Sequence, residues 1–561
     1  MGGIVGLICA VTLAASAGCA ALPRSGPVQQ GVKGLGPEEP YVQAAAAGPA
    51  RDASLEQIVQ GFLQAMLAGN SDDFKVARSY LTQEAAAVWN PLESVTIYQS
   101  GEAPAVAGNG PQLGRVTLTL TTVGSVDHSG RYSPQEPSRH GETLSLSQGE
   151  DSQWRISALP DGIVIPEDVF HGDYLETRIY FPSADGRFLV PDLRVFARSG
   201  AATAAVKEFL AGPPPYLTGA VEVVVPPGTR LLTDTVRVAD GLATVNLSSG
   251  ISRASETARA TILASLRSSL TALPKVEAVE LQVESVPLEV NQAAGLEVDP
   301  LAIEGPFYVG DSGVWRVRDG SSQMVEGTGA AAGWESLAVD HTLDRMAGLE
   351  GGRVSVINRA SGLAKDLVWP DKVGPDATAG PAFDRLGWLW AAAGSAVVAF
   401  PSDGAPVRLG ATWLEGRRVV ALAPARDGTR LALAVESEAG VELLVSGIVR
   451  SEGAVPWRLT GPSWAGHASK LVGGLSWADD VSLAFLTAPT EAGELVPAIL
   501  AVGGDTTYLK SPTDPPGFLA AGRGASDVYV SGRSGGLFAY APRGRVWTSL
   551  ASGARAVALA P

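Results

Sequence analysis

The chain has 561 residues, too many for one ordinary domain, so about three or four are expected. Hydrophobic residues make up 45% and charged residues 18%, which supports sizeable cores and excludes long disorder. A net charge of -16 with no Lys/Arg cluster leaves no footprint for nucleic acid and argues against broad adhesion to anionic lipid.

Ile4 to Ala17 is an apolar run of small and branched residues. It has the length of a signal core and is too short for a comfortable membrane span. It ends in Ser16-Ala17-Gly18-Cys19, small residues that let a peptidase reach the backbone. The pattern resembles a lipobox: cleavage falls between Gly18 and Cys19, the Cys19 thiol takes an S-diacylglycerol, and its freed amine takes an N-acyl chain. Two chains suffice for stable anchoring. Ser16 stands where Leu is usual, and no Lys or Arg precedes Ile4, so the true start is expected upstream of Met1. The competing reading is ordinary cleavage near Ala17 with a chance cysteine. Cys9 is the one other cysteine, so the mature body cannot carry a disulfide framework. Leu22 to Ala53, rich in Pro, Gly, Ala and Gln, reads as a tether spanning on the order of 30 Å.

A first folded unit, expected over 54–170, opens with Ser54 and Gln57 as a capping box. Leu55, Ile58, Val59, Phe62, Leu63, Met66 and Leu67 then keep helical spacing. Short helices follow over Asp72 to Tyr80 and Gln83 to Trp89. Strands are expected at Val95 to Tyr98, Arg115 to Val123, Glu142 to Ser147 and Gln153 to Ser157. Helices followed by an antiparallel sheet predict an α+β cone resembling nuclear transport factor 2-like (NTF2-like) domains. Such cones can hold a ligand or a catalytic pair. Asp127 and His128 are placed on a hairpin turn and His140 in a polar loop, where solvated turn residues are the commoner outcome.

A second unit, over 171–290, reads as a compact α/β layer. Strands at Arg178 to Phe181 and Leu189 to Phe196 precede a helix over Ala201 to Ala211, which Gly212-Pro213-Pro214-Pro215 stops. A hairpin turns at Asp240-Gly241, a long helix covers Ala254 to Leu273, and Val276 to Val283 alternates as a strand. Ile179-Tyr180-Phe181, Phe209-Leu210-Ala211-Gly212-Pro213, Pro227-Gly228-Thr229 and Asp240 to Leu247 resemble the GerMN domain, a binding module without known catalysis.

After a linker expected over 291–303, repeats occupy 304–561. Strand starts recur at Ser336, Pro381, Val419, Gly473 and Gly517, each followed by a second strand, such as Arg353 to Ile357 or Thr429 to Val435. The spacing of about 40 to 55 residues is that of four-stranded propeller blades, about six in all. Asp427-Gly428-Thr429-Arg430 resembles the blade turn of TolB-like propellers, with Asp384 and Asp479-Asp480 at corresponding turns. The closing Arg555 to Pro561 echoes Arg418 to Pro424, so the C-terminal strand is expected to complete the first blade. The propeller tryptophans are expected to wedge between blades, the alternative being a sugar-stacking platform.

The whole order is similar to the LpqB family of actinobacterial lipoproteins. Its most specific marks are Leu22 to Gln29, Gly61 to Met66, Tyr80-Leu81-Thr82 and Ala87 to Pro91. That resemblance implies a non-catalytic lipoprotein on the extracytoplasmic face of the cell membrane. Its implied partner is the outer domain of the sensor histidine kinase MtrB, in signalling for cell-wall homeostasis and division. Five His, none at metal-ligand spacing, predict no metal site and no cofactor. The alternatives are a glycan- or peptide-binding scaffold and a propeller-based envelope enzyme.

Overall fold

The computed structural model describes residues 46–561 apart from 70–72, 109–113, 292–293, 371–372, 375–376, 439, 452–453, 490–492 and 525. Ala46–Pro561 forms one compact unit. Gly18 and Cys19 lie outside the described residues.

The first helix, Leu55–Leu67, starts where expected because Ser54 and Gln57 cap each other. The Gln57 amide donates to Ser54 Oγ at 3.3 Å, and the Ser54 amide donates to Gln57 Oε1 at 2.9 Å. Ser54→Ala should cost about 1 kcal/mol. An unchanged denaturant midpoint would contradict that role for the cap. Leu55, Ile58, Val59, Phe62, Ala65 and Met66 are buried on one face. They cover a sheet ordered Trp154–Ala158, Tyr132–Gln148, Arg115–Asp127, Ser94–Tyr98, Ile163–Pro166. The last two strands are parallel, which the antiparallel expectation lacked.

His140 is not in a loop. It sits on Tyr132–Gln148, paired with Leu120 and exposed. Pro134, Pro137 and Gly141 make this stretch read as irregular. From residue 133 to 144 the strand has a neighbour on one side only, an edge where a missing N–H is tolerated.

In the middle domain Tyr174–Pro182 and Phe188–Ala197 form a hairpin. Leu242–Leu247 and Ala278–Val283 run parallel, joined through the helix Glu256–Leu270. The linker stretch contributes a strand of its own, since Glu297–Val298 pairs in parallel with Phe188 and Leu189.

Among the described residues six propeller sheets follow, each with four strands except the fourth, to which Ser463–Ala468 is added. The innermost strand of the first blade is Val557–Ala558, paired with Tyr308 and Phe307, so the two ends of this region meet in one blade. In the second blade the strand after the turn is Arg345–Glu350, and Arg353–Asn358 is the third. The repeat spacing predicts Arg353 to Ile357 as the second. Gly348 hides the true one, because glycine weakens a strand signal. It is required there: a Cβ would meet the Trp334 ring at 2.1 Å.

Candidate functional site

The turns between the first and second strands of the blades carry a repeated device. An aspartate at each of four turns collects nearby donors, as a short acidic side chain does when turn N–H groups point inward. Asp340 accepts from Arg345 at 3.0 Å. Asp384 accepts from Trp390 at 2.9 Å and Arg450 at 2.6 Å. Asp427 accepts from Arg430 at 2.6 Å.

Asp480, in the fifth blade, differs. Its side-chain donors come from the middle domain: Arg178 at 3.1 Å and Tyr180 at 2.8 Å. Burial and the Asp480 charge together push the Tyr180 hydroxyl well above the usual tyrosine range, so it stays a donor. Arg430 completes the junction. Its guanidinium lies 4.6 Å from the centre of the Trp477 ring and donates to the carbonyls of Pro191 and Asp480. Burial works against its charge, but Asp427, Tyr216 and Asp480 together outweigh that and raise its pKa above the ordinary value. Around these polar contacts one apolar core runs from Ile179, Phe209 and Leu247 to Ala432, Trp477 and Phe485.

The linker stretch is tied down by arginines from three blades. Arg426 donates to the Pro300 carbonyl at 2.6 Å and to Asp299 at 2.8 Å. Arg385 reaches the Leu301 carbonyl at 3.2 Å, and Arg523 the Ala302 carbonyl at 2.9 Å. The segment thus crosses one mouth of the central channel, which Ala302 lines. What remains is a pit of about 330 Å³ walled by small side chains such as Ala338, Ala421 and Ala520. The charged side chains lining it are Glu335 and Arg426, the latter already held by Asp299 and two carbonyls.

Three family models match this arrangement in order. The lipoprotein LpqB N-terminal domain covers 48–171, the sporulation and spore germination domain 178–289, and the lipoprotein LpqB beta-propeller domain 312–559. The chain belongs to the LpqB family. Lipoprotein LpqB of Bifidobacterium longum is 28% identical over 86% of this chain and 85% of its own. That of Streptomyces coelicolor is 29% identical over 82% and 84%. The first GerMN domain of the sporulation protein GerM from Bacillus subtilis is 19% identical, with a TM-score of 0.19 over 22% of this chain and 93% of that one.

Several LpqB marks in the N-terminal domain turn out to be packing. A Cβ on Gly61 would meet the Tyr80 hydroxyl at 2.5 Å. Trp89 packs edge-on against Phe62 and Phe74 and donates to the Gly162 carbonyl. Asp127 and His128 do not form a pair. Asp127 organises its own turn, accepting from the Ser129 amide, the Ser129 hydroxyl and the Arg131 amide. Crowding by protein works against its charge, but those hydrogen bonds prevail and lower its pKa. A lowered carboxyl pKa adds stability that is present above the unfolded value, about 4, and lost as pH falls through the folded one. The stability gap between the native chain and Asp127→Asn should therefore close below about pH 4. A gap that persists in acid would contradict this.

Trp334, Trp390 and Trp477 are buried, and each indole donates a hydrogen bond, as wedges between blades would. Trp457 and Trp464 are exposed at 49% and 39%. Among the described residues no three His, Cys, Asp or Glu converge in metal-binding geometry, and no helix is long and apolar enough to cross a membrane. The residues that sequence reasoning missed are Arg178, Tyr180, Asp299 and Arg426. Arg178 and Tyr180 were legible as strand residues, Tyr180 within a GerMN mark, and the turn signature around Asp427 and Asp479-Asp480 pointed towards their partners.

Proposed function

We propose that this LpqB-family chain is a non-catalytic extracytoplasmic scaffold, held to the cell membrane by lipid on Cys19 after cleavage behind Gly18. Its N-terminal, middle and propeller domains would present one surface to the outer domain of an MtrB-like sensor histidine kinase and modulate its signalling for cell-wall homeostasis and division. The observation that carries this reading is the junction at Arg430 and Asp480. The Arg178–Asp480 ion pair, the bond from Arg430 to the Pro191 carbonyl, a tied linker and a continuous apolar core join the middle domain to the propeller. Rigid coupling of this kind suits a protein that transmits or organises binding. Domains that work by moving past one another usually meet through smaller and more polar surfaces.

Crosslinking pull-downs from membranes test the proposal, comparing the intact chain with Cys19→Ala. The kinase's outer domain should be recovered with the intact chain, and recovery should fall sharply when the lipid is lost. Its absence from intact-chain pull-downs, in membranes where the kinase is present, would overturn the reading. A second reading, a scaffold for a small envelope ligand, is favoured by the exposed Trp464.

A further inference from the structure

A cleft of about 280 Å³ lies where the N-terminal domain, the middle domain and the propeller meet. Arg131 and Tyr132 enter from the first, Glu176 and Tyr216 from the second, and Trp464 and Gly503 from the third. Most polar groups of its walls already have partners. The Tyr132 hydroxyl donates to Asp505 at 3.2 Å, and His171 lies 3.9 Å from the same carboxylate. Asp192 is held by Arg194, and the Tyr216 hydroxyl is bonded to Asp192.

Two charged groups lining the cleft are different. Among the described residues, neither the Glu176 carboxylate nor the Arg131 guanidinium has a hydrogen bond or a close ion pair. Glu176 is exposed on its strand, so water reaches it through the cleft, although neighbouring protein displaces part of that water. That displacement pushes its carboxyl up. Arg178 pulls the other way, but its guanidinium is already committed to Asp480, while Asp505 and Asp479 add to the upward push. Opposite charges from different domains line one cleft with no ion pair between them, an arrangement that a single ligand carrying both charges can bridge. A charge whose hydration is partly displaced is stabilised by a partner of opposite sign. Beside them Trp464 presents a large, partly exposed ring suited to covering an apolar or ring-shaped side chain.

We infer that this cleft binds a small zwitterion, an α-amino acid or the equivalent of a short peptide with both ends free. Its ammonium group would meet Glu176, its carboxylate Arg131, and its side chain the face of Trp464. The volume suits one or two residues. The guanidinium fork matches a carboxylate in two-point geometry, and the Glu176 carboxylate accepts from an ammonium without competition from a protein donor. Because three domains supply the contacts, occupancy would bind them together more tightly. The inference does not depend on the kinase partner, so either can fail alone.

Isothermal titration calorimetry on the full chain tests it, with phenylalanine, lysine, alanyl-alanine and alanyl-phenylalanine as probes. N-acetylated and C-amidated forms of each, and glucosamine, complete the set. At least one free zwitterion should bind, and blocking either end should weaken it tenfold or more. Glu176→Gln should abolish the penalty for acetylation, Arg131→Met should abolish the penalty for amidation, and Trp464→Ala should weaken the aromatic probes most. Unchanged thermal unfolding of the three variants would show that the fold is intact. If a variant unfolds early, protection of native Trp464 from oxidation by the bound probe gives a second readout. No binding by any free zwitterion at 10-fold millimolar excess would overturn the inference. So would equal binding of blocked probes, or binding of glucosamine that matches the best zwitterion.

Discussion

Arg430→Ala should lower the stability of the propeller by about 3–5 kcal/mol, because it leaves the buried Asp427 carboxylate without its partner. For a body of this size that is a fall of roughly 10 °C in Tm. The loss should not be local. Arg430 also holds the Pro191 and Asp480 carbonyls, so the middle-domain strand Tyr174–Pro182 should lose protection from hydrogen exchange in step with the turn at Asp480. Arg418→Ala is the control. Its pair with Glu436 is about half exposed on both sides and should contribute at most about 1 kcal/mol. Equal Tm values for the two variants would remove Arg430 from the centre of the junction.

Deleting Arg555 to Pro561 should prevent the propeller from holding its fold at all. These residues supply the innermost strand of the first blade and the buried Ala556, Val557, Ala558 and Ala560. They also accept the Ile303 amide at the Ala560 carbonyl, so the tied linker loses an anchor. Phe307–Gly310 would be left as an open edge beside an exposed core, the usual setting for aggregation. Loss of cooperative unfolding, or aggregation on purification, is the expected result. A truncated chain that melts cooperatively at the native temperature would show that ring closure contributes nothing.

Much of the architecture was legible in the sequence, for local reasons. The helix Ala201–Ala211 was read to its ends because Gly212-Pro213 cannot continue it. Ser54 and Gln57 announced the first helix because their capping bonds span three residues. The blades were legible because strand pairs recur at a regular spacing, four of them joined by an aspartate turn. Misreadings arose where a residue's reason lay elsewhere in space. Gly348 looked like a break until Trp334 was seen to fill the room it leaves. Gly141 reads as a loop residue but pairs with Thr119 of the long neighbouring strand, and Pro137 falls where that ladder shifts register.

The candidate sites divide in the same way. Cys19 rests on a local pattern of small residues and on the cysteine-free body behind it, both properties of sequence alone. Asp480, by contrast, is an ordinary turn residue in sequence, and its partners Arg178 and Tyr180 lie some 300 positions earlier. The cleft of Arg131, Glu176 and Trp464 draws one group from each of three domains. By itself the sequence determined the order of domains, the helix ends and the blade repeat, since each follows from bonds and periodicities within a few residues. Only the tertiary structure decided which charges are paired, which are left open, and that the linker crosses one mouth of the channel. Electrostatic partnership depends on distance and burial, and neither is written in the spacing along a chain.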